Sequence, residues 1–190
     1  MSNFTFKQCG DIEGLYVIES KVFRDNRGYF METYNYETYK EAGLDMIFVQ
    51  DNQSMSVKGV LRGLHFQKKH PQGKLVRVIS GAVYDVALDL RNDSKTFGQY
   101  HGVILDGTSK NQFYIPEGFA HGFLVLSQEA EFAYKCTNFY HPEDEGGILW
   151  SDPTLNIDWP TFDGVELTIS EKDKILPNFQ KDKRYFIKRY

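Results

Sequence analysis

Short runs of alternating apolar and polar residues fill most of the chain, and Gly, Asn, Asp and Ser punctuate them. Residues 15–18 follow Gly14 and read as a strand. Asn26 and Gly28 frame a turn, after which residues 29–34 alternate as a second strand. Residues 36–42, stopped by Gly43, form the one credible helix. Residues 46–50 lead into a further strand. Residues 75–79 and 82–90, joined by Ser80 and Gly81, read as a hairpin. In its second arm Val83, Asp85, Ala87 and Asp89 face one way, and Tyr84, Val86, Leu88 and Leu90 the other. Strands over 100–105, 112–115, 122–126 and 130–137 continue the series. Many short strands with little helix predict an all-β sandwich or barrel. From about Pro153 the pattern loosens, with Pro160, Pro177 and many charges. Residues 153–190 read as a C-terminal arm with short helix near 171–175. No repeat or linker divides the chain, so 1–190 is expected to be one domain.

One stretch stands apart: residues 59–74, GVLRGLHFQKKHPQGK, set Arg62, His65, His70 and Lys74 among apolar residues and glycines. On a straight strand Leu61, Gly63 and His65 share one face, and Val60, Arg62, Leu64 and Phe66 the other. Two readings of His65 stay open on these residues alone, a hydrogen-bonded core histidine or a reactive one. Lys74 has a similar choice between snorkelling at a strand end and facing a site.

Composition narrows the function classes. The chain has 190 residues, 41% hydrophobic, enough for a sizeable core. A net charge of −4 supplies no basic field for nucleic acid. An anionic ligand must therefore meet local Arg and Lys. Cys9 and Cys136 form neither a metal cluster nor a disulfide framework and read as free thiols of a cytoplasmic protein. The first residues, MSNFTFKQCGDIEG, lack a signal-peptide pattern, and no run is long enough to span a membrane.

Gly59 and His65, with five residues between them, and Pro116, Gly118 and His121 in YIPEGFAHGF resemble the two motifs of the cupin superfamily. That resemblance implies a double-stranded β-helix, or jelly roll. Metal-binding cupins continue the first motif with a second histidine and a carboxylate, because a metal needs three or four N and O ligands. Here Phe66, Gln67, Lys68 and Lys69 follow His65, so the resemblance implies no metal and no cofactor. Chelators are accordingly expected to leave activity unchanged. Activity lost in a chelator and restored by one metal would overturn that expectation.

The blocks FRDNRGYFMETY (23–34), FVQDNQS (48–54), GVLRGLHFQ (59–67), QGKLVRVISGAVYDVALDLR (72–91), IPEGFAHGFLVLS (115–127), YKCTNFYHPEDEGGILWSDP (134–153) and ISEKDK (169–174) extend the likeness. Together they are similar to the dTDP-4-dehydrorhamnose 3,5-epimerase family. The family activity moves protons next to a ketone, at C3 and C5 of a nucleotide-linked 4-keto-6-deoxyhexose in deoxysugar biosynthesis. By that resemblance His65 is the base, oriented by Asp173, Tyr134 is the acid, and Lys74 holds the enolate oxygen. Arg62, Gln50, Asp51, Asn52, His121, Glu145 and Lys172 bind substrate, and Tyr140 stacks on the base. Arg27 and Glu32 reach the nucleotide from the neighbouring subunit of a homodimer. Alternation lets at most two of Gln50, Asp51 and Asn52 point inward. At least one of Asp85 and Asp89 is expected to support Lys74 or His65. Competing readings are a C3-only epimerase, a ketoisomerase, a non-catalytic sugar-binding cupin and a metal cupin oxygenase.

Overall fold

The structure, a computed structural model, describes residues 2–160 and 164–186. The parts of the predicted arm at 161–163 and 187–190 lie outside the described residues. In chain order the elements are β1 (Phe4–Gln8), β2 (Tyr16–Ser20), β3 (Val22–Asp25), β4 (Gly28–Met31), α1 (Tyr36–Glu41), β5 (Gln50–Val57), β6 (Val60–Gln67) and β7 (Lys74–Ser80). There follow β8 (Ala82–Asp89), β9 (Tyr100–Asp106), β10 (Gln112–Ile115), β11 (Phe119–Val125), β12 (Glu129–Cys136), β13 (Glu145–Gly147), β14 (Thr168–Ile169) and α2 (Glu171–Lys174). A single 3-10 turn at Pro142–Asp144 precedes β13.

Two sheets face each other. One runs β1-β2-β10-β7-β12-β5, the other β13-β6-β11-β8-β9, with β14 added in parallel along β6. This is the jelly-roll arrangement expected. Between the sheets lie Val76, Val78, Phe113 and Phe132 from the first and Val83, Ala87, Leu105, Phe123 and Val125 from the second. Phe123 and Phe132 stack across this interior at 4.4 Å. The alternation read for 82–90 holds: Val83 and Ala87 point into that layer, while Val86, Leu88 and Leu90 point to the other side. There they meet Leu155, Trp159, Phe179, Tyr185 and Phe186 of the C-terminal arm. Each such side chain contributes roughly 1.5–3 kcal/mol by leaving water, so the arm is held with almost no regular structure of its own. On the outer face of the first sheet, Tyr39 of α1 packs against Phe4 and Ile18. Asn35 caps that helix by accepting from the Thr38 amide.

Two local expectations fail. Residues 75–90 are not a hairpin: β7 lies between β10 and β12 in one sheet, and β8 between β11 and β9 in the other. The Ser80–Gly81 turn carries the chain across the barrel. Gly81 has φ +79, and the space a Cβ would fill is taken by the Glu129 carbonyl and the Ser127 hydroxyl. Secondly, β6 does not alternate evenly. Its pairing with β11 slips between His121 and Phe123. The slip occurs opposite Gly63, where φ is +119 and a Cβ would lie 2.5 Å from Gly122 Cα. Such an irregularity reverses the parity of the strand beyond it.

Candidate active site

That reversal builds the site. Even spacing puts Arg62 and His65 on opposite faces, yet both line one cleft between the sheets. The cleft, of about 600 Å³, is also lined by Lys74, His121, Phe132, Tyr134, Lys172 and Asp173. A smaller lobe of about 330 Å³ shares His65, Lys74 and Tyr134 with it and adds Gln50, Asn52, Gln67, Tyr140 and Glu145. His65 stands on β6 of one sheet; Lys74 and Tyr134 stand on β7 and β12 of the other. The imidazole and the phenol therefore approach the cavity from opposite walls.

Asp173 reaches His65 through a short chain of local causes. Ser170 caps α2 by accepting from the Asp173 amide, which sets that turn of backbone. Pairing of β14 with β6 brings the turn beneath the strand. Asp173 is 3% exposed, and its Oδ1 lies 2.7 Å from His65 Nε2. Its Oδ2 accepts from the Gly63 amide at 3.2 Å. Burial alone would raise the Asp173 pKa, but His65 and the Gly63 amide outweigh it and hold the carboxyl below its usual range. An ionised carboxylate only accepts, so Nε2 carries the proton and Nδ1 is the basic nitrogen of the neutral ring.

A second imidazole–carboxylate pair lies beside the first. His121 Nε2 is 3.0 Å from both oxygens of Asp85, and both side chains are buried. Burial pulls the His121 pKa down against the opposing pull of Asp85. Burial also pulls Lys74 down, while Cys136, Asp85 and Glu145 work to keep its charge. Of the two acidic residues on this strand face, Asp85 is thus the one that lies beside His121 and Lys74. Asp89 does not: it is held by Arg91, Ser94 and Thr96. Tyr134 is pushed up, chiefly by burial and against the attraction of Arg62, so it stays a protonated phenol at neutral pH. The Lys74 ammonium sits 5.9 Å from the centre of its ring.

The remaining expected residues divide. Gln50 and Asn52 face the cleft lobe and are hydrogen-bonded to each other at 3.0 Å. Asp51 points the other way, its side chain 70% exposed and paired with Lys135, and does not join them. Arg62 donates to Ser56 Oγ at 2.9 Å. Tyr140 donates its hydroxyl to Glu145 at 3.2 Å, and Glu145 in turn pairs with Lys172. Arg27 and Glu32 do not reach the cleft within one chain. Arg27, its side chain 90% exposed, pairs with Asp25 at the β3–β4 turn, and Glu32 accepts from Asn3 and Asn35. Gln67 and Asp144, which brace the loops of the smaller lobe, escaped the sequence reading. In the sequence Gln67 stands out only as the absence of a metal-binding histidine, and Asp144 only as an acid inside an acidic loop. Among the described residues no group of histidine, cysteine or acidic side chains is arranged to hold a metal ion.

An imidazole tied to a carboxylate and a phenol on the facing wall suit proton removal from one face of a ring and return to the other. The model of the dTDP-4-dehydrorhamnose 3,5-epimerase family matches residues 10–181. The chain belongs to the dTDP-4-dehydrorhamnose 3,5-epimerase family. It is 55% identical to the enzyme of that name from Methanothermobacter thermautotrophicus, over 92% of this chain and 94% of that protein. The crystal structure of the Elizabethkingia anophelis enzyme superposes with a TM-score of 0.90 at 49% identity, covering 97% of this chain and all of that one. A dTDP-6-deoxy-D-glucose-3,5-epimerase from Legionella pneumophila, crystallised with dTDP-4-keto-L-rhamnose, superposes at 0.86 with 49% identity, covering 93% and 99% of the two chains. No helix among the described residues is long and apolar enough to cross a membrane.

Proposed function

We propose that this protein epimerises dTDP-4-dehydro-6-deoxy-D-glucose at C3 and C5, giving dTDP-4-dehydro-L-rhamnose. The observation that carries the reading is the pairing of His65–Asp173 on one wall with Tyr134 on the facing wall of one cleft. His65 Nδ1 takes the proton next to the 4-ketone. The resulting enolate oxygen is stabilised by the Lys74 ammonium, whose charge is worth more in a half-buried site than in water. Tyr134 returns a proton to the opposite face; solvent then reprotonates the phenolate and takes the proton held by His65. The His121–Asp85 pair adds a fixed dipole and a negative charge beside Lys74. Arg62 and Lys172 meet the diphosphate, which arginine can bind with two parallel hydrogen bonds. Gln50, Asn52, Glu145 and the ring of Tyr140 serve the nucleoside. Incubation with the substrate in deuterated water tests the assignment. Deuterium at both C3 and C5 is expected, exchange at C3 alone would make it a C3-epimerase, and none would leave a binding protein.

The same reading includes a homodimer. Phe23, Tyr29 and Phe30 stand exposed on the small β3–β4 sheet, and Ile47, Val49, Met55 and Val57 on the edge strand β5 and its approach. A second copy that covers these apolar side chains would bring Arg27 and Glu32 to its neighbour's cleft. Sedimentation is expected to give a dimer at assay concentration. Arg27→Ala is expected to raise KM by about 10-fold or more, the worth of one charged hydrogen-bonding contact. An active monomer would overturn this part of the reading.

A further inference from the structure

We propose that Gln67 is a positioning residue for the nucleotide lobe: its carboxamide fixes Tyr140 by gripping the peptide groups on either side of it. Gln67 ends β6 and is 4% exposed. Its Nε2 donates to the Phe139 carbonyl at 3.1 Å and to the His70 carbonyl at 2.5 Å. Its Oε1 accepts from the His141 amide at 2.7 Å. Tyr140 lies between those two gripped peptides. Its own amide donates to Gln50 Oε1 at 2.9 Å, and its hydroxyl reaches Glu145.

The acceptor on the far side of Gln67 is itself fixed. The Asp144 carboxylate takes the amides of Lys69 and His70, each at 2.8 Å, and so tethers the backbone that presents the His70 carbonyl. Both amide protons of Gln67 are thus engaged, and its oxygen already accepts from the His141 amide. A half-exposed ring on an irregular loop would otherwise have to be ordered each time a ligand bound, at a cost in affinity. The position that gives metal-binding cupins a ligand here holds a loop instead. Leucine offers neither donor nor acceptor, and glutamate would set a carboxylate against two carbonyl oxygens.

This inference deepens the nucleotide-sugar reading and rests on it for its kinetic part. In Gln67→Leu the KM for dTDP-4-dehydro-6-deoxyglucose and the Kd of dTDP are expected to rise together, by about 10–100-fold, with kcat within about threefold. In a Tyr140→Ala background the same substitution is expected to change KM by less than about twofold, because Gln67 acts through that ring. A fall in kcat at unchanged KM, or a full additive effect in the Tyr140→Ala background, would overturn the inference. Hydrogen exchange at the amides of Tyr140 and His141, measured on the protein without ligand, separates the two readings. Exchange should quicken in Gln67→Leu whatever the substrate proves to be, and unchanged protection would overturn the positioning role by itself. Gln67→Glu, which keeps the acceptor for His141 and loses both donors, gives the same measurements if the leucine variant does not fold.

Discussion

His65→Asn is expected to abolish both solvent exchange and inversion, lowering kcat/KM by at least the 10²–10⁴-fold typical of a lost general base. Asparagine can still donate to Asp173 but has no basic nitrogen to take a carbon-bound proton. The carboxylate of Asp173, buried and bound to the Gly63 amide, is turned away as a partner of His65 and not as a base. The other imidazole of the cleft, His121, is buried and burial lowers its pKa, so it is the weaker base although Asp85 holds its Nε2 as Asp173 holds that of His65. Mass analysis of sugar recovered from deuterated water decides the matter. Exchange at a wild-type rate would remove His65 from the role and make His121 the base to test next. Unchanged melting temperature would show that the loss is chemical, since one buried hydrogen bond is worth only ~1 kcal/mol net.

Tyr134→Phe is expected to fail differently. The change removes one hydroxyl and keeps the ring that packs beside Phe132. Base and ammonium remain, so the enolate still forms, and His65 can return a proton to the face it left. Deuterium should enter with configuration retained while inversion falls about 10²–10⁴-fold. The pH profile adds a check with a definite sign. Tyr134 must be protonated to act and its pKa is raised, whereas Lys74 must be protonated and its pKa is lowered. Activity should therefore be lost on the alkaline side as Lys74 deprotonates, at a lower pH than an ordinary lysine would. The residual exchange of Tyr134→Phe is expected to keep that alkaline limb. Normal inversion by Tyr134→Phe would show that the phenol is only a core residue.

Much of the frame could be read from the chain, because a period of two along each strand is a local property that side chains carry themselves. The strands over 82–89, 100–106, 112–115 and 129–136 all lie where alternation puts them, as does the helix that Gly43 ends. The same rule separated Gln50 and Asn52, which face the cleft, from Asp51, which does not. Recognition of His65, Lys74, Tyr134 and Asp173 came from motif resemblance. Their residue types alone left each open to an ordinary core or surface role.

Turn chemistry at Ser80–Gly81 is equally local and said only that the chain bends. Whether the bend closes a hairpin or crosses a barrel depends on partners tens of residues away, β10 and β12 for β7, β11 and β9 for β8. Gly63 is the sharper case. Nothing in GVLRGLHFQ announces a change of parity, since glycine only permits the backbone that Gly122 and the His121 carbonyl require of it. Close approach of β11 makes the slip, and the slip puts Arg62 and His65 into one cleft. Asp173 likewise reads as a solvated charge among Glu171, Lys172 and Lys174 until β14 draws the tail under β6 and buries it against His65. Alternation and propensity thus determined which segments became strands and which faces were apolar. Long-range pairing decided which walls met, which parity survived the bulge and which carboxylate found which imidazole, because those depend on contacts between residues that are neighbours only in the folded chain.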